Sequence, residues 1–361
     1  MIIKILDPSK NATYLWLPVY FYDEPFQFQI LSSIIELVFY ISCFHLMTIS
    51  LYVMLKVQIF HRNLYILYIP MFCVWYGLIA GKLITIAYRL KFVDLDYELG
   101  EHIAMWTDDQ AKMLHVSSLR GLELLIFGGF VQWHYMYTVV YGILGVAAER
   151  AIASVLIENY ETNTQLYIPI ALTIITQFLA ISTSLSVLFH KASVFLSHLP
   201  WIISCSLGAL AYLFIKIVNE NFQKQITNPR RKRLFTISQQ FQVKENLRAL
   251  RLGTRLVFVV FFYVAFVSFG MFALAFDLVS SAYCHFVENF LFLNPYPICF
   301  TAMLTIPHWR KHFQNACFTW RLVKSAWTKP KTSTTSVEIS TTKKLEAETD
   351  LYFRQLNESW I

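Results

Sequence analysis

The sequence predicts an all-α polytopic membrane protein: a seven-transmembrane helix bundle followed by an interfacial helix. Three observations predict it. Of the 361 residues, 56% are hydrophobic and only 15% are charged, with a mean hydropathy of +0.48, which leaves too few charges to cover a soluble surface. Charge-poor apolar runs longer than about 18 residues, the length that spans roughly 30 Å of hydrocarbon, recur seven times. These runs are continuously apolar rather than alternating, which excludes a β-barrel. Aromatic content of 17%, six cysteines and eleven glycines exclude wholesale disorder, a disulfide-stapled scaffold and a collagen-like repeat.

The elements follow in chain order. Residues 1–29 are expected to form an external N-terminal segment. No cleavable signal peptide is expected there, because Met1 to Leu6 is a short apolar stretch followed by Asp7-Pro8-Ser9-Lys10. The spans are expected at 30–55, 64–88, 122–148, 166–190, 192–215, 256–276 and 286–307. Between the fourth and fifth stand only His190, Lys191 and the Ser197-His198-Leu199-Pro200 segment, so their ends can slide. Residues 308–327 form the interfacial helix and 328–361 a disordered cytoplasmic tail. Cys43, Cys73, Cys205 and Cys299 fall within spans and Cys284 falls outside them, so no disulfide framework is expected.

Lysine and arginine set the orientation. With the N-terminus outside, cytoplasmic segments hold 22 of these residues and external segments 7, as the positive-inside rule requires of a multi-pass plasma-membrane protein. Asn11-Ala12-Thr13 is then a glycosylation sequon on the accessible side, while Asn357-Glu358-Ser359 faces the cytosol. The net charge of +7 reflects this topology and attraction to anionic membrane lipids, and nucleic acid is not an expected partner.

Catalysis finds no support in the sequence. The ten histidines are scattered, and His308 and His312, although four residues apart, have only Trp309-Arg310-Lys311 between them and no acidic third ligand. No phosphate loop or serine elbow occurs, so no enzyme activity, metal or cofactor is expected.

Charges inside hydrocarbon cost roughly 2.5 to 3.5 kcal/mol on insertion scales and mark candidate sites. Glu36, Lys82, Glu123 and Glu288 all fall in the outer portion of their spans. Two arrangements fit them. Lys82 lies about 10 Å from the span end at Arg89 and can snorkel outward, as can the rest; alternatively they line an outward-open cavity, with Lys82 and Glu288 pairing across helices. His134 lies about 18 Å deep by helical rise, where either an interhelical hydrogen bond or a ligand must satisfy it. Lys82, Glu123, His134 and Glu288 are therefore the ligand-binding candidates.

The cytoplasmic side carries a denser pattern. After Arg230-Arg231-Lys232-Arg233, the residues Lys244, Arg248, Arg251 and Arg255 recur at spacings that share one helical face. Ile237, Phe241, Leu247 and Leu250 alternate with them, so the sixth span is expected to continue inward as a basic amphipathic helix that anchors to anionic lipid or docks a partner. Trp309, Phe313, Cys317, Trp320 and Trp327 make the interfacial stripe, with Cys317 a palmitoylation candidate. The Ser/Thr-rich tail from Thr328 offers phosphorylation sites for kinase and arrestin-like partners. The acidic external stretch from Arg89 to Arg120 reads as a solvated loop or a partial lid.

Several stretches together resemble a known family. They are Tyr14-Leu15-Trp16-Leu17-Pro18, Glu149-Arg150-Ala151-Ile152-Ala153-Ser154 leading to Ile157-Glu158-Asn159-Tyr160-Glu161, the run from Phe241 to Leu250, and Asn294-Pro295 in the last span. With seven spans and a basic third cytoplasmic loop, the chain looks like a G-protein-coupled receptor. From about Tyr14 to about Phe313 it resembles the nematode serpentine receptor class epsilon (Sre) family of chemoreceptors. The resemblance implies sensory expression, with the sensory neuron cilium as a site, a small-molecule ligand and coupling to a heterotrimeric G protein. The chain also departs from the wider superfamily: neither the third span's outer end nor the second external loop has a cysteine. Ile298 stands where rhodopsin-like receptors place tyrosine, and the sixth span has no proline.

The mechanism expected from this reading is a two-state switch. A ligand in the outer half favours separation of the cytoplasmic ends of spans three and six; Arg150, restrained at rest by Glu149 or Glu245, is released toward the partner. A membrane transporter or channel is the alternative, and it predicts internal repeats with matching helix breaks. None is visible, and the Pro295 and Pro297 pair has no earlier counterpart.

Overall fold

The computed structural model describes residues 2–5, 13–18, 25–60, 62–93, 97–98, 113–116, 119–156, 166–228, 236–275, 278–279 and 283–325. The chain divides into two units, Met1–Phe313 and Gln314–Ile361. The first holds the helix bundle and a small sheet; of the second, only residues 314–325 are described, and they are helical.

The helices are α1 (Phe26–Lys56), α2 (Arg62–Arg89), α3 (Glu123–Val155), α4 (Tyr167–Leu188), α5 (Val194–Thr227), α6 (Ile237–Ala275), α7 (Tyr283–Phe292), α8 (Pro295–Thr305) and α9 (Pro307–Ser325). Six are long and apolar enough to cross a membrane, and the bent pair Tyr283–Thr305 with Pro307–Cys317 supplies up to a seventh. Side-chain distribution is what lipid demands rather than water. On α1, Ser33, Glu36, Tyr40, Cys43, Met47 and Ser50 turn inward, while Ile34, Val38 and Ile41 are exposed. The inward face is the more polar one, because only apolar groups can face hydrocarbon without loss.

Small residues set the central packing. A Cβ on Gly81 of α2 would stand 3.0 Å from the Gly128 carbonyl oxygen of α3, so the two backbones approach directly. Hydropathy located the apolar middle of each helix and not its ends. Spans three and five were expected to finish at 148 and 215, yet α3 runs to Val155 and α5 to Thr227. The added turns are held by packing: Phe222 and Ile226 of α5 meet Val243 and Leu247 on the inward extension of α6. The Ser197–Pro200 segment, expected in a connection, belongs to the first turns of α5. His190, with φ of 48°, closes the preceding turn, and the Ser193 hydroxyl caps α5 by accepting from the Leu196 amide.

Two further expectations change. The last span is broken rather than continuous: α7 ends at Phe292 and α8 begins at Pro295, whose fixed φ suits a first helical position. Trp75 Nε1 donates to the Phe292 carbonyl and Tyr135 Oη to Asn294 Oδ1 at 2.6 Å, so the break is satisfied from α2 and α3. The residue Cys284, expected outside the spans, is buried in the first turn of α7.

The external N-terminal segment and the stretch read as a solvated loop or a partial lid both contribute strands to one sheet. β1 (Ile2–Ile5), β2 (Thr13–Trp16), β3 (Tyr97–Glu98) and β4 (Leu114–Val116) order as β2-β1-β4-β3, with β1 and β4 parallel and the outer pairings antiparallel. Ile2, Ile3 and Ile5, dismissed at sequence level as too short an apolar stretch, have the β-branched character a strand favours and are buried. Beyond β2 the chain enters the bundle. Trp133 Nε1 of α3 donates to the Trp16 carbonyl at 2.8 Å, and Leu17 fills the space where Gly129 lacks a side chain.

Candidate functional site

At the end of the bundle opposite the sheet, α3 places Glu149 and Arg150 in its last turns. Among the described residues, four bonds hold the Arg150 guanidinium. Nε and Nη2 donate to the two Glu149 carboxylate oxygens at 2.5 and 2.6 Å, and Nη1 donates to Glu245 Oε1 at 3.2 Å and Asn246 Oδ1 at 3.0 Å on α6. Asn246 Nδ2 continues to Asn219 Oδ1 of α5 at 3.1 Å and to the Ser154 hydroxyl, which Asn219 Nδ2 also reaches at 2.8 Å. Ser154 itself donates to the Arg150 carbonyl. All six residues are buried, so the charges are compensated by one another and by amides rather than by water. The network ties α3, α5 and α6 together through polar contacts that must all break if these helix ends part.

Lys244, Arg248, Arg251 and Arg255 are all exposed on α6. They present a basic face beside the buried network, while Val243, Glu245 and Asn246 turn inward.

At the sheet end a second charged group forms. Lys82 of α2 is 1% exposed, and its ammonium binds Glu288 of α7 and stands 3.5 Å from Glu36 Oε1 of α1. Arg89, at the end of α2, donates through Nη1 to Glu36 Oε2 at 2.6 Å. The ions thus run as a chain, Arg89 to Glu36 to Lys82 to Glu288, with Phe292 under the Lys82 ammonium. His285 is buried one turn before Glu288. Lys82, Glu36 and Glu288 therefore pair inside the protein, the second of the two arrangements expected for them.

The other ligand candidates lie elsewhere. Glu123 is exposed and accepts from the Gly121 amide at 2.8 Å, a helix-start role apart from the charged chain. His134 faces α4, with Nε2 3.1 Å from Gln177 Oε1 and its ring stacked on Phe130; the interhelical alternative is the one the geometry adopts. Cys317 is exposed on α9. Trp309 and Phe313, expected in an interfacial stripe, are buried instead, and Trp309 Nε1 donates to the Val57 carbonyl at 2.8 Å. Asn11 and the tail from 326 onward lie outside the described residues.

Sequence reasoning did not single out Asn219, Asn246 and Ser154 because they carry no charge. The available signal was the burial demanded of an asparagine directly beside Glu245. Glu36 was noted for its depth and Arg89 only as a span end; their pairing needs the register of α1 against α2, which no local pattern contains.

Comparison with known proteins gives the family. A family model described as Sre G protein-coupled chemoreceptor matches residues 1–361. Serpentine receptor class epsilon-29 of Caenorhabditis elegans is 55% identical over 361 residues, covering 100% of both chains. Serpentine receptor class epsilon-33 of the same organism is 56% identical over 347 residues, 96% of each chain. Serpentine receptor class epsilon-37 is 24% identical over 369 residues, again over 100% of each. A bundle of apolar helices with buried polar groups, matched over its full length by these receptors, is a multi-pass membrane protein, and the chain belongs to the Sre family of G protein-coupled chemoreceptors.

Proposed function

We propose that this chain is a chemosensory receptor that binds a small-molecule ligand from the extracellular side of the plasma membrane and signals to a heterotrimeric G protein. In this reading the sheet end faces outward, in keeping with the distribution of lysine and arginine. The opposite end, with its exposed basic face on α6, meets the G protein and anionic lipid headgroups. The Ser/Thr-rich tail is the substrate for kinases and arrestin-like partners, and Cys317 is an acylation site.

One observation carries the reading. Arg150 is bonded from α3 to Glu245 and Asn246 on α6, the helix that bears the basic face. Such a contact opposes separation of the two helix ends, so a ligand that prefers the separated arrangement shifts the population by its difference in affinity for the two states. Glu149 keeps the guanidinium charge-compensated whether or not α6 is engaged, which lowers the cost of release.

The test is basal signalling. Glu245→Gln keeps the side-chain shape and removes the charge from the α3–α6 contact. At equal surface density, a G-protein biosensor should report a basal signal about tenfold or more above wild type, in line with the roughly 1.5 to 3 kcal/mol that a charge-assisted hydrogen bond contributes. A basal signal equal to wild type contradicts the proposal, as does an Arg150→Ala receptor that reaches the surface and signals normally.

A further inference from the structure

We infer that the buried charged chain at the sheet end recognises a small amphoteric carboxylic acid, with a carboxylate at one end and an ammonium group at the other. The inference rests on the receptor reading and adds the chemical class of the ligand.

It begins with Arg89. This residue is 3% exposed, and it uses only Nη1 on Glu36. Nε and Nη2, which share the remaining edge of the planar guanidinium, are shielded from solvent and have no hydrogen-bond partner among the described residues. Buried donors are nearly always satisfied, and leaving one unmet costs more than a made bond returns. Two parallel N–H groups on one guanidinium edge match the two oxygens of a carboxylate in bidentate fashion, a geometry lysine cannot offer. The open edge is therefore an acceptor-specific feature, and it lies at the sheet end of α2.

Glu288 supplies the complementary half. Its Oε1 is taken by Lys82, while Oε2 is buried and unpartnered. One end of the ion chain thus lacks an acceptor and the other lacks a donor. Lys82 and Arg89 both pair with Glu36, one on each carboxylate oxygen, and Glu288 pairs with Lys82, so the open Arg89 edge and the Glu288 carboxylate are joined through a single residue and a short linear molecule suffices to bridge them.

Charge balance selects the class. Lys82 and Arg89 carry two positive charges and Glu36 and Glu288 two negative ones, so the four ion-paired groups sum to zero. A simple carboxylate would leave one uncompensated negative charge in a medium where that is expensive. A ligand with its own ammonium keeps the sum at zero while its two ends meet the Arg89 edge and Glu288 Oε2. The Phe292 ring, under the Lys82 ammonium, is the apolar surface beside this group.

The experiment uses the full chain in nanodiscs and a linear series of amino acids, glycine, β-alanine, γ-aminobutyrate and their longer homologues. Thermal unfolding is read for each acid, for its methyl ester and for the carboxylic acid lacking the amine. At least one amino acid should raise Tm in a saturable manner, with its ester and des-amino analogue at least about tenfold weaker. Arg89→Lys, which retains a cation for Glu36 but loses the fork, should weaken the amino acid by about tenfold or more. Glu288→Gln should weaken it too, while the des-amino acid, now meeting a group with one net positive charge, should bind at least as well as to wild type. Failure of the whole series to stabilise the protein, equal action of acid and ester, or wild-type affinity in Arg89→Lys would each overturn the inference. Binding that follows this pattern without any G-protein response would contradict the receptor reading and leave the recognition chemistry standing.

Discussion

The two buried polar groups of the bundle both pair basic side chains with two glutamates, and they are finished differently. Around Arg150, each guanidinium nitrogen, both Glu149 oxygens and the amides of Asn219 and Asn246 have partners drawn from α3, α5 and α6. Around Lys82, the ions form an open chain in which Arg89 and Glu288 keep polar atoms unmatched. A saturated network favours one helix arrangement over all others, which suits a contact that must hold until something better is offered. An unsaturated one is less stable by itself and gains from whatever completes it. On the proposed reading, holding belongs to one end of the bundle and recognition to the other.

The largest effects should come from removing the central cation of each group. Lys82→Met and Arg150→Met each strand buried carboxylates, and each should cost about 3 to 5 kcal/mol in thermal unfolding of the nanodisc-embedded protein. Pairwise neutralisation should then separate the two. Lys82→Met with Glu288→Met leaves Glu36 its Arg89 partner and should recover most of the loss. Arg150→Met with Glu245→Met still takes from Glu149 the guanidinium that binds both its oxygens and should recover less. Equal recovery at both ends would break the comparison.

Smaller losses sharpen it. Asn246→Ala should cost about 1 to 2 kcal/mol, and combining it with Asn219→Ala should cost less than the sum by at least 0.5 kcal/mol, because the two share one bond. Additive losses would mean that the amides act independently of the network. Gly81→Ala should cost about 1 to 3 kcal/mol, since its Cβ meets the Gly128 backbone. Gly142→Ala should cost less, because its Cβ meets only the flexible Met71 side chain. Least of all, Glu123→Gln on the exposed start of α3 should change stability by no more than about 0.5 kcal/mol.

How much of this was legible in the sequence depended on the range of the signal. Lipid-spanning helices announce themselves in hydropathy, and the basic face of α6 in the spacing of Lys244, Arg248, Arg251 and Arg255, because both are local and periodic. The approach of Lys82 to Glu288 was open to two readings, since pairing across 206 positions depends on helix register. The ends of α3 and α5 escaped because polar residues that pack against a neighbouring helix look like loop to a hydropathy window. The sheet escaped for a related reason: β1 and β4 pair across more than a hundred residues, and each is too short to be called a strand alone. Asn219 and Asn246 were invisible to a search for charges, although an amide in a buried network does as much to fix geometry.

The separation of α3 from α6 is the step on which the account depends, and a distance reports it directly. Spin labels on exposed Val155 of α3 and exposed Lys244 of α6, with the exposed Cys73, Cys205 and Cys317 replaced, give that distance by pulsed electron resonance. Glu245→Gln should add a longer-distance population, and its fraction should track the rise in basal G-protein signal. A variant that signals more strongly with an unchanged distance distribution would contradict the account.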